Sequence, residues 1–368
     1  MKIVILYGGK SSEHEISLLS ASSVVRNIDL KKHKVSLIAI TKKGQWFLQD
    51  DSEITRIQND KNAVLRISEN NKAVFIAPGL GGDRGFKTAS QTIPCDVVFP
   101  VLHGSFGEDG TIQGLLEIAQ VPYVGCGVMA SSLTMDKEKT KQVWQTQNLP
   151  VVPYMTVKKH EFLTNDTKTK IIEEAEQKFT YPVFVKPCNA GSSVGTAKVR
   201  DRGFLEKALE EAFSWDEKVL IEPFIDAREI ECSVIGNQTP IVSVLGEIIP
   251  THEFYDYEAK YNDPNGANFF IPARISSEET EKIKVLAQKA YEAVDASGFS
   301  RVDFFIDKQS NEIYLNEINT IPGFTSISMF PKMCEAAGIP YKTIIERLLD
   351  LAVERFQARQ ALNTGLRM

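Results

Sequence analysis

Apolar residues follow two rhythms along this chain. Residues 3–7 and 97–101 are short unbroken apolar runs, the pattern of strands buried on both faces. Residues 15–28 and 111–119 instead space their apolar positions three and four apart, the helical period. Residues 35–40 read as a further strand and 123–124 as a short one, whereas the stretch through residue 83 is polar and poorly periodic. Strand and helix alternating in this order predict an open parallel sheet over residues 1–125. A helix is expected at 136–146, and residues 148–153 read as a linker into a second unit. That unit has strands at 183–186, 196–199 and 219–223, a small-residue loop at 191–195 and a helix at 204–212. A last unit begins near Glu229, with strands at 231–235 and 241–249 and a helix at 278–297. It ends in a hairpin at 301–323 and an amphipathic helix at 341–359.

At 368 residues the chain is too long for one ordinary core, so two or three domains are expected. Its 43% hydrophobic and 24% charged residues are those of a soluble globular protein. The net charge of −6 is spread along the chain with no basic block, which argues against a nucleic-acid partner. No apolar run approaches the roughly 18 residues of a membrane helix, so no membrane partner is expected. Five scattered cysteines without C-x-x-C spacing read as reduced cytoplasmic thiols, neither a disulfide framework nor a zinc site.

The hairpin carries the first candidate chemistry. Residues two apart on a strand face the same way, so Arg301 shares a face with Asp303, and Glu317 with Asn319. Oxygen ligands without His or Cys suit Mg²⁺ shared with phosphate; an exposed edge with scattered charges is the plainer alternative. The strand bearing Lys186 runs into the loop 191–195, whose backbone N–H groups could meet phosphate oxygens, or which is simply a turn. Gly9-Lys10-Ser11 is no Walker A loop, because Val4 stands where glycine is required, and no G-x-G-x-x-G is present. Glu222, Phe224 and Ile225 could line a flat slot, Glu222 accepting from an exocyclic amine and Glu229 reaching a ribose. Ser12 and Glu15 have capping-box spacing; alternatively, Glu15 holds an ammonium group at the carboxyl end of a parallel strand. His103 has no partner His cluster and reads as a hydrogen-bonded structural residue. The segment 251–272, with Tyr255, Tyr257 and Tyr261, has the length and aromatic content of a lid.

Seven pieces in order then carry a resemblance. They are Glu-His-Glu-Ile-Ser, His-Gly-x-x-Gly-Glu-Asp-Gly, Met-Asp-Lys, Lys-Pro-x-x-x-Gly-Ser-Ser-Val-Gly, Phe-Tyr-Asp-Tyr-Glu-Ala-Lys-Tyr, Arg-x-Asp and Asn-Glu-Ile-Asn-Thr-x-Pro-Gly-Phe-Thr. Spanning residues 13 to 330, they resemble the D-alanine–D-alanine ligases of the ATP-grasp superfamily. The resemblance implies a mixed α/β and α+β fold of three domains: 1–130, 131–228 with the glycine loop, and 229–368 with lid and metal site. It implies ATP bound between the second and third, two Mg²⁺ or Mn²⁺ ions, a cytoplasmic enzyme and a homodimer. Carried over, Lys137, Lys186 and Ser193 meet ATP phosphates, while Glu222, Phe224, Ile225 and Glu229 hold adenine and ribose. Asp303, Glu317 and Asn319 hold metal. Glu15 binds the first D-alanine ammonium, tied to Ser192 and Tyr261. Arg301 and the Gly323 N–H receive the oxyanion. Ser326, Ser328 and Met329 match the segment for the second carboxylate, and His103 and Lys260 belong to the substrate side. The implied reaction joins two D-alanines through a D-alanyl phosphate; alternatives are D-lactate or D-serine as second substrate, or nucleotide binding without ligation.

Overall fold

In the computed structural model, residues 1–69, 72–251 and 266–362 are described. The apolar run at the N-terminus becomes the strand Lys2–Gly8, with both faces covered. It pairs in parallel with Lys34–Ile40 and Val97–Val101. The sheet is not wholly parallel as expected: Trp46–Leu48 adds antiparallel to its edge, so it is mixed. That strand and the helix Ser52–Asn59 arise in the poorly periodic region, where each element is too short to show a period.

The middle of the chain forms an antiparallel sheet in which Val183–Pro187 lies between Ala197–Val199 and Lys218–Pro223, with Met155–Lys158 outermost. The last part forms a five-stranded antiparallel sheet with Ala227–Ile235 at its centre and Phe299–Asp307 paired to Ile313–Asn319 at one side. The hairpin register sets Arg301 opposite Asn319 and Asp303 opposite Glu317, with a bulge following Asp303. All four side chains therefore share one face of the sheet.

The C-terminal helix Tyr341–Gln360 returns to the N-terminal sheet, burying Ile344, Ile345 and Leu348 in one core with Val24 and Phe99. Phe324 packs into this core, its ring 6.0 Å from Phe99 and 5.2 Å from Tyr341. The loop after the hairpin is thereby bound to the N-terminal unit. Among the described residues, no helix is long and apolar enough to cross a membrane.

Candidate active site

A cleft of about 740 Å³ is lined by Lys137, Lys186, Ser192, Ser193, Glu222, Phe224, Ile225, Glu229, Arg301, Asp303 and Glu317. The fold thus gathers residues separated by 180 positions in sequence onto one concave surface. One end is aromatic: Phe184 and Phe224 stand 5.9 Å apart and Lys198 Nζ lies 3.6 Å from the Phe224 ring centre.

At its base Glu222 is 2% exposed, with Lys141 Nζ 2.8 Å from Oε1 and Lys186 Nζ 2.7 Å from Oε2. Burial alone would raise this carboxyl; the two ammonium groups outweigh it and hold it at about 2. Lys141 was not singled out in the sequence, yet it follows Lys137 by one helical turn and so shares its face. Burial, opposed by Glu222, pulls the Lys141 ammonium below its usual range.

At the other end, Arg301 forks onto Asp303 at 2.7 and 2.6 Å and lies 3.2 Å from Glu231. Burial opposes its charge, but Asp303 and Glu231 more than compensate and keep it firmly protonated. Asn319 Nδ2 donates to Asp303 Oδ2 at 3.0 Å. Lys137 Nζ stands 3.9 Å from Glu317 and donates to the Ala190 carbonyl at 2.7 Å, linking hairpin and glycine loop. Within that loop, Ser192 and Ser193 have φ of 51° and 59°, which turns the backbone sharply beside the cleft. Among the described residues no group of three His, Cys, Asp or Glu side chains is assembled as a metal site. The hairpin instead offers two directly opposed carboxylates and a carboxamide. Arg301 and Asn319 hold the Asp303 carboxylate and Lys137 approaches Glu317, so positive charge already stands beside both carboxylates.

The expectation for Glu15 is corrected. Its carboxylate is 60% exposed and pairs with Lys42 at 2.6 Å, away from the cleft. Glu13 occupies the inner position: it is 7% exposed and accepts from Ser192 Oγ at 2.5 Å. A Cβ on Gly104 or on Gly191 would meet the Glu13 carboxylate at 2.6 and 2.8 Å and push it from its place, and Gly104 also has a φ of 70° that favours glycine. The signal lay in helical phase. Glu13 is in step with Ser17, Ser20 and Val24, all buried, whereas Glu15 is in step with exposed Leu19.

His103 acts through the backbone. Nδ1 lies 2.9 Å from the Ile321 carbonyl and Nε2 2.9 Å from Ser20 Oγ. Burial lowers its pKa and favours the neutral ring. Glu108 takes the N–H groups of Ile321 and Gly104, each at 2.9 Å. Burial and the Glu13 carboxylate push its own carboxyl well above the usual range. Ser20 accepts from the Phe324 N–H at 3.2 Å, so Gly323 is held between two anchored neighbours. Met329 turns its side chain into an apolar cluster with Ile248 and Met333. Only its backbone, at the start of the helix Met329–Ala336, remains for a ligand. Ser328 Oγ bonds Thr325 at 2.7 Å, and Ser326 is exposed. Lys260 and Tyr261 lie outside the described residues.

Comparison with known proteins identifies the family. Residues 2–126 match the family model of the D-ala D-ala ligase N-terminus and residues 143–350 that of its C-terminus. A D-alanine–D-alanine ligase of Treponema denticola is 54% identical over 99% of both chains, and one of Caldicellulosiruptor bescii 46% identical over 98% of both. Among solved structures, the D-alanine-D-alanine ligase of Coxiella burnetii superposes with a TM-score of 0.83 at 35% identity, covering 98% of this chain and 96% of that one. The VanG D-Ala:D-Ser ligase of Enterococcus faecalis gives 0.80 at 36%, covering 95% and 99%. The cleft, the hairpin and the glycine loop therefore sit in a chain that belongs to the D-alanine–D-alanine ligase family.

Proposed function

We propose that this chain joins two D-alanine molecules into D-alanyl-D-alanine at the expense of ATP, releasing ADP and phosphate, and so supplies a peptidoglycan precursor. The observation that carries this reading is the 54% identity, end to end, with a D-alanine–D-alanine ligase. We read the chain as three units, 1–130, 131–228 and 229–368, working in the cytoplasm as a homodimer.

A free carboxylate is a poor electrophile. Transfer of the γ-phosphoryl group from ATP to a D-alanine carboxylate oxygen gives D-alanyl phosphate and ADP, which makes that oxygen a leaving group. The amine of a second D-alanine, having lost a proton, attacks the acyl carbon; the peptide bond forms and inorganic phosphate departs. Phe224 and Ile225 receive the base, Glu222 its amine and Glu229 the ribose. Lys137, Lys186 and the Ser193 segment of the glycine loop meet phosphate oxygens. Glu13, in place of the expected Glu15, holds the first substrate's ammonium, with Ser192 fixing its carboxylate. The start of the helix Met329–Ala336, with Ser326 and Ser328 beside it, receives the second carboxylate. Arg301 and the Gly323 N–H take up charge on the tetrahedral oxyanion, a task whose loss typically costs roughly 10²–10³ in rate.

Asp303, Glu317 and Asn319 fit Mg²⁺ or Mn²⁺ by their hard oxygen chemistry and by the opposed carboxylates of the hairpin. When bound, two such ions supply neutralisation of phosphate charge during transfer. Asn319 would then offer its carboxamide oxygen, a rotation that gives up its bond to Asp303.

The test is ADP release dependent on D-alanine, with product identification. ADP release indifferent to D-alanine would point to nucleotide binding without ligation. Competing D-alanine against D-serine or D-lactate near neutral pH tests the second substrate, and a predominant mixed dipeptide or ester would overturn this choice.

A further inference from the structure

Beside the cleft, an ion cluster brackets one of its lysines. Lys218, at the start of the strand Lys218–Pro223, places Nζ 2.5 Å from Asp136 Oδ2 and 2.7 Å from Glu138 Oε2. Asp136 caps the helix Lys137–Thr146 by accepting from the Lys139 N–H at 3.1 Å, and Glu138 lies in its first turn. Lys137 falls between these two carboxylates in sequence, yet its own ammonium reaches the other way, to the Ala190 carbonyl and towards Glu317. The same strand end carries the entrance of the glycine loop. The Cys188 N–H donates to the Lys218 carbonyl at 2.9 Å, and the Lys137 N–H to the Cys188 carbonyl at 3.1 Å. Asp216, two residues earlier, accepts from the Asn189 backbone and side chain at 2.7 and 2.9 Å.

We infer that Lys218 is a positioning residue for nucleotide binding: by neutralising Asp136 and Glu138 it leaves the Lys137 ammonium free to face the cleft. This rests on the proposed role of Lys137 at ATP phosphates. Lys218 is not among the residues lining the cleft, so it acts through its neighbours. Without it, two carboxylates at the helix start compete for the nearest flexible ammonium. Lys139 already stands 3.5 Å from Glu138, which leaves Lys137 as the cation for Asp136. Charge and hydrogen-bonding directions agree: the loop, the helix start and Lys137 all take their positions from one strand end.

The experiment measures steady-state ADP release by the full chain in Lys218→Met, Lys218→Arg, Lys137→Ala and Lys137→Ala/Lys218→Met, with thermal melts of each. Lys218→Met is expected to raise KM for ATP about 10-fold, with kcat and KM for D-alanine within about 3-fold, the pattern of lost uniform binding. Lys218→Arg restores KM to within about 3-fold, and in the Lys137→Ala background Lys218→Met adds little, because both changes remove one interaction. An unchanged KM for ATP in folded Lys218→Met overturns the inference, as does an undiminished effect in the Lys137→Ala background. If Lys137→Ala itself leaves KM for ATP untouched, the phosphate role of Lys137 fails and this inference with it. If Lys137→Ala raises KM and Lys218→Met does not, only the inference fails. Should Lys218→Met not fold, Lys218→Met/Glu138→Gln carries the same comparison with one fewer uncompensated carboxylate.

Discussion

Replacing Glu222 by Gln removes one charge and leaves the buried ammonium of Lys141 facing the half-buried one of Lys186. In the native site each carboxylate oxygen has a lysine within 2.8 Å, and Lys141 is 2% exposed. Holding the Glu222 carboxyl at about 2 rather than its ordinary 4.5 corresponds to roughly 3 kcal/mol at about 1.4 kcal/mol per tenfold change in acidity. Orphaning one member of a buried pair typically costs about 3–5 kcal/mol. The penalty has a ceiling, because Lys141 can shed its proton. Losing it at pH 7 from an ordinary value near 10.5 costs about 5 kcal/mol. We therefore predict that Glu222→Gln lowers stability at pH 7 by about 3–5 kcal/mol, or the thermal transition by about 4–6 °C if the 368 residues unfold together. The sign with pH follows from the depressed carboxyl. The stabilisation is fully present above about pH 4.5 and fades as pH falls towards 2, where native and unfolded states are both protonated. The gap between wild type and Glu222→Gln should close over that window. Adding Lys141→Met to Glu222→Gln removes one orphaned cation and should recover about 2 kcal/mol. Denaturant titrations of the three proteins at pH 7, with melts down to pH 3, measure this. A Glu222→Gln variant within about 1 kcal/mol of wild type, or a double variant no more stable than it, would show that the Lys141–Glu222–Lys186 cluster does not stabilise the fold.

Two further predictions concern catalysis. Glu13→Gln should lower kcat/KM for the first D-alanine by about 10²-fold or more while Glu15→Gln stays within about 2-fold; the reverse order in steady-state assays would return the role to Glu15. Glu317→Gln should abolish metal-dependent turnover with an unchanged circular dichroism spectrum and melting point, and near-normal turnover in a folded variant would sink the metal assignment.

The sequence was most informative where chemistry is local. Arg301, Asp303, Glu317 and Asn319 were placed on common faces by the period of two alone, and the hairpin register then joined those faces. The glycine loop and the slot residues are visible as small-residue and strand-end signals; Glu222, Phe224, Ile225 and Glu229 line the cleft, together with Ser192 and Ser193 of the loop. Two glutamates two apart both satisfy the motif at Glu13 and Glu15, and only helical phase separates them. Glu13 lies inward on the same face as Ser17 and Ser20; Glu15 pairs with Lys42 at the surface.

By itself, then, the sequence determined the period of each long element, the inventory of charged and small residues, and which near neighbours share a face. These follow from backbone geometry acting over a few residues. Tertiary structure alone decided which distant charges meet. Glu222 is neutralised from Lys141, 81 positions away on a different element, and Glu108 reaches the Ile321 N–H across 213 positions because the C-terminal helix packs on the N-terminal sheet. Such pairings depend on burial and on the packing of whole units, and no local period carries that information.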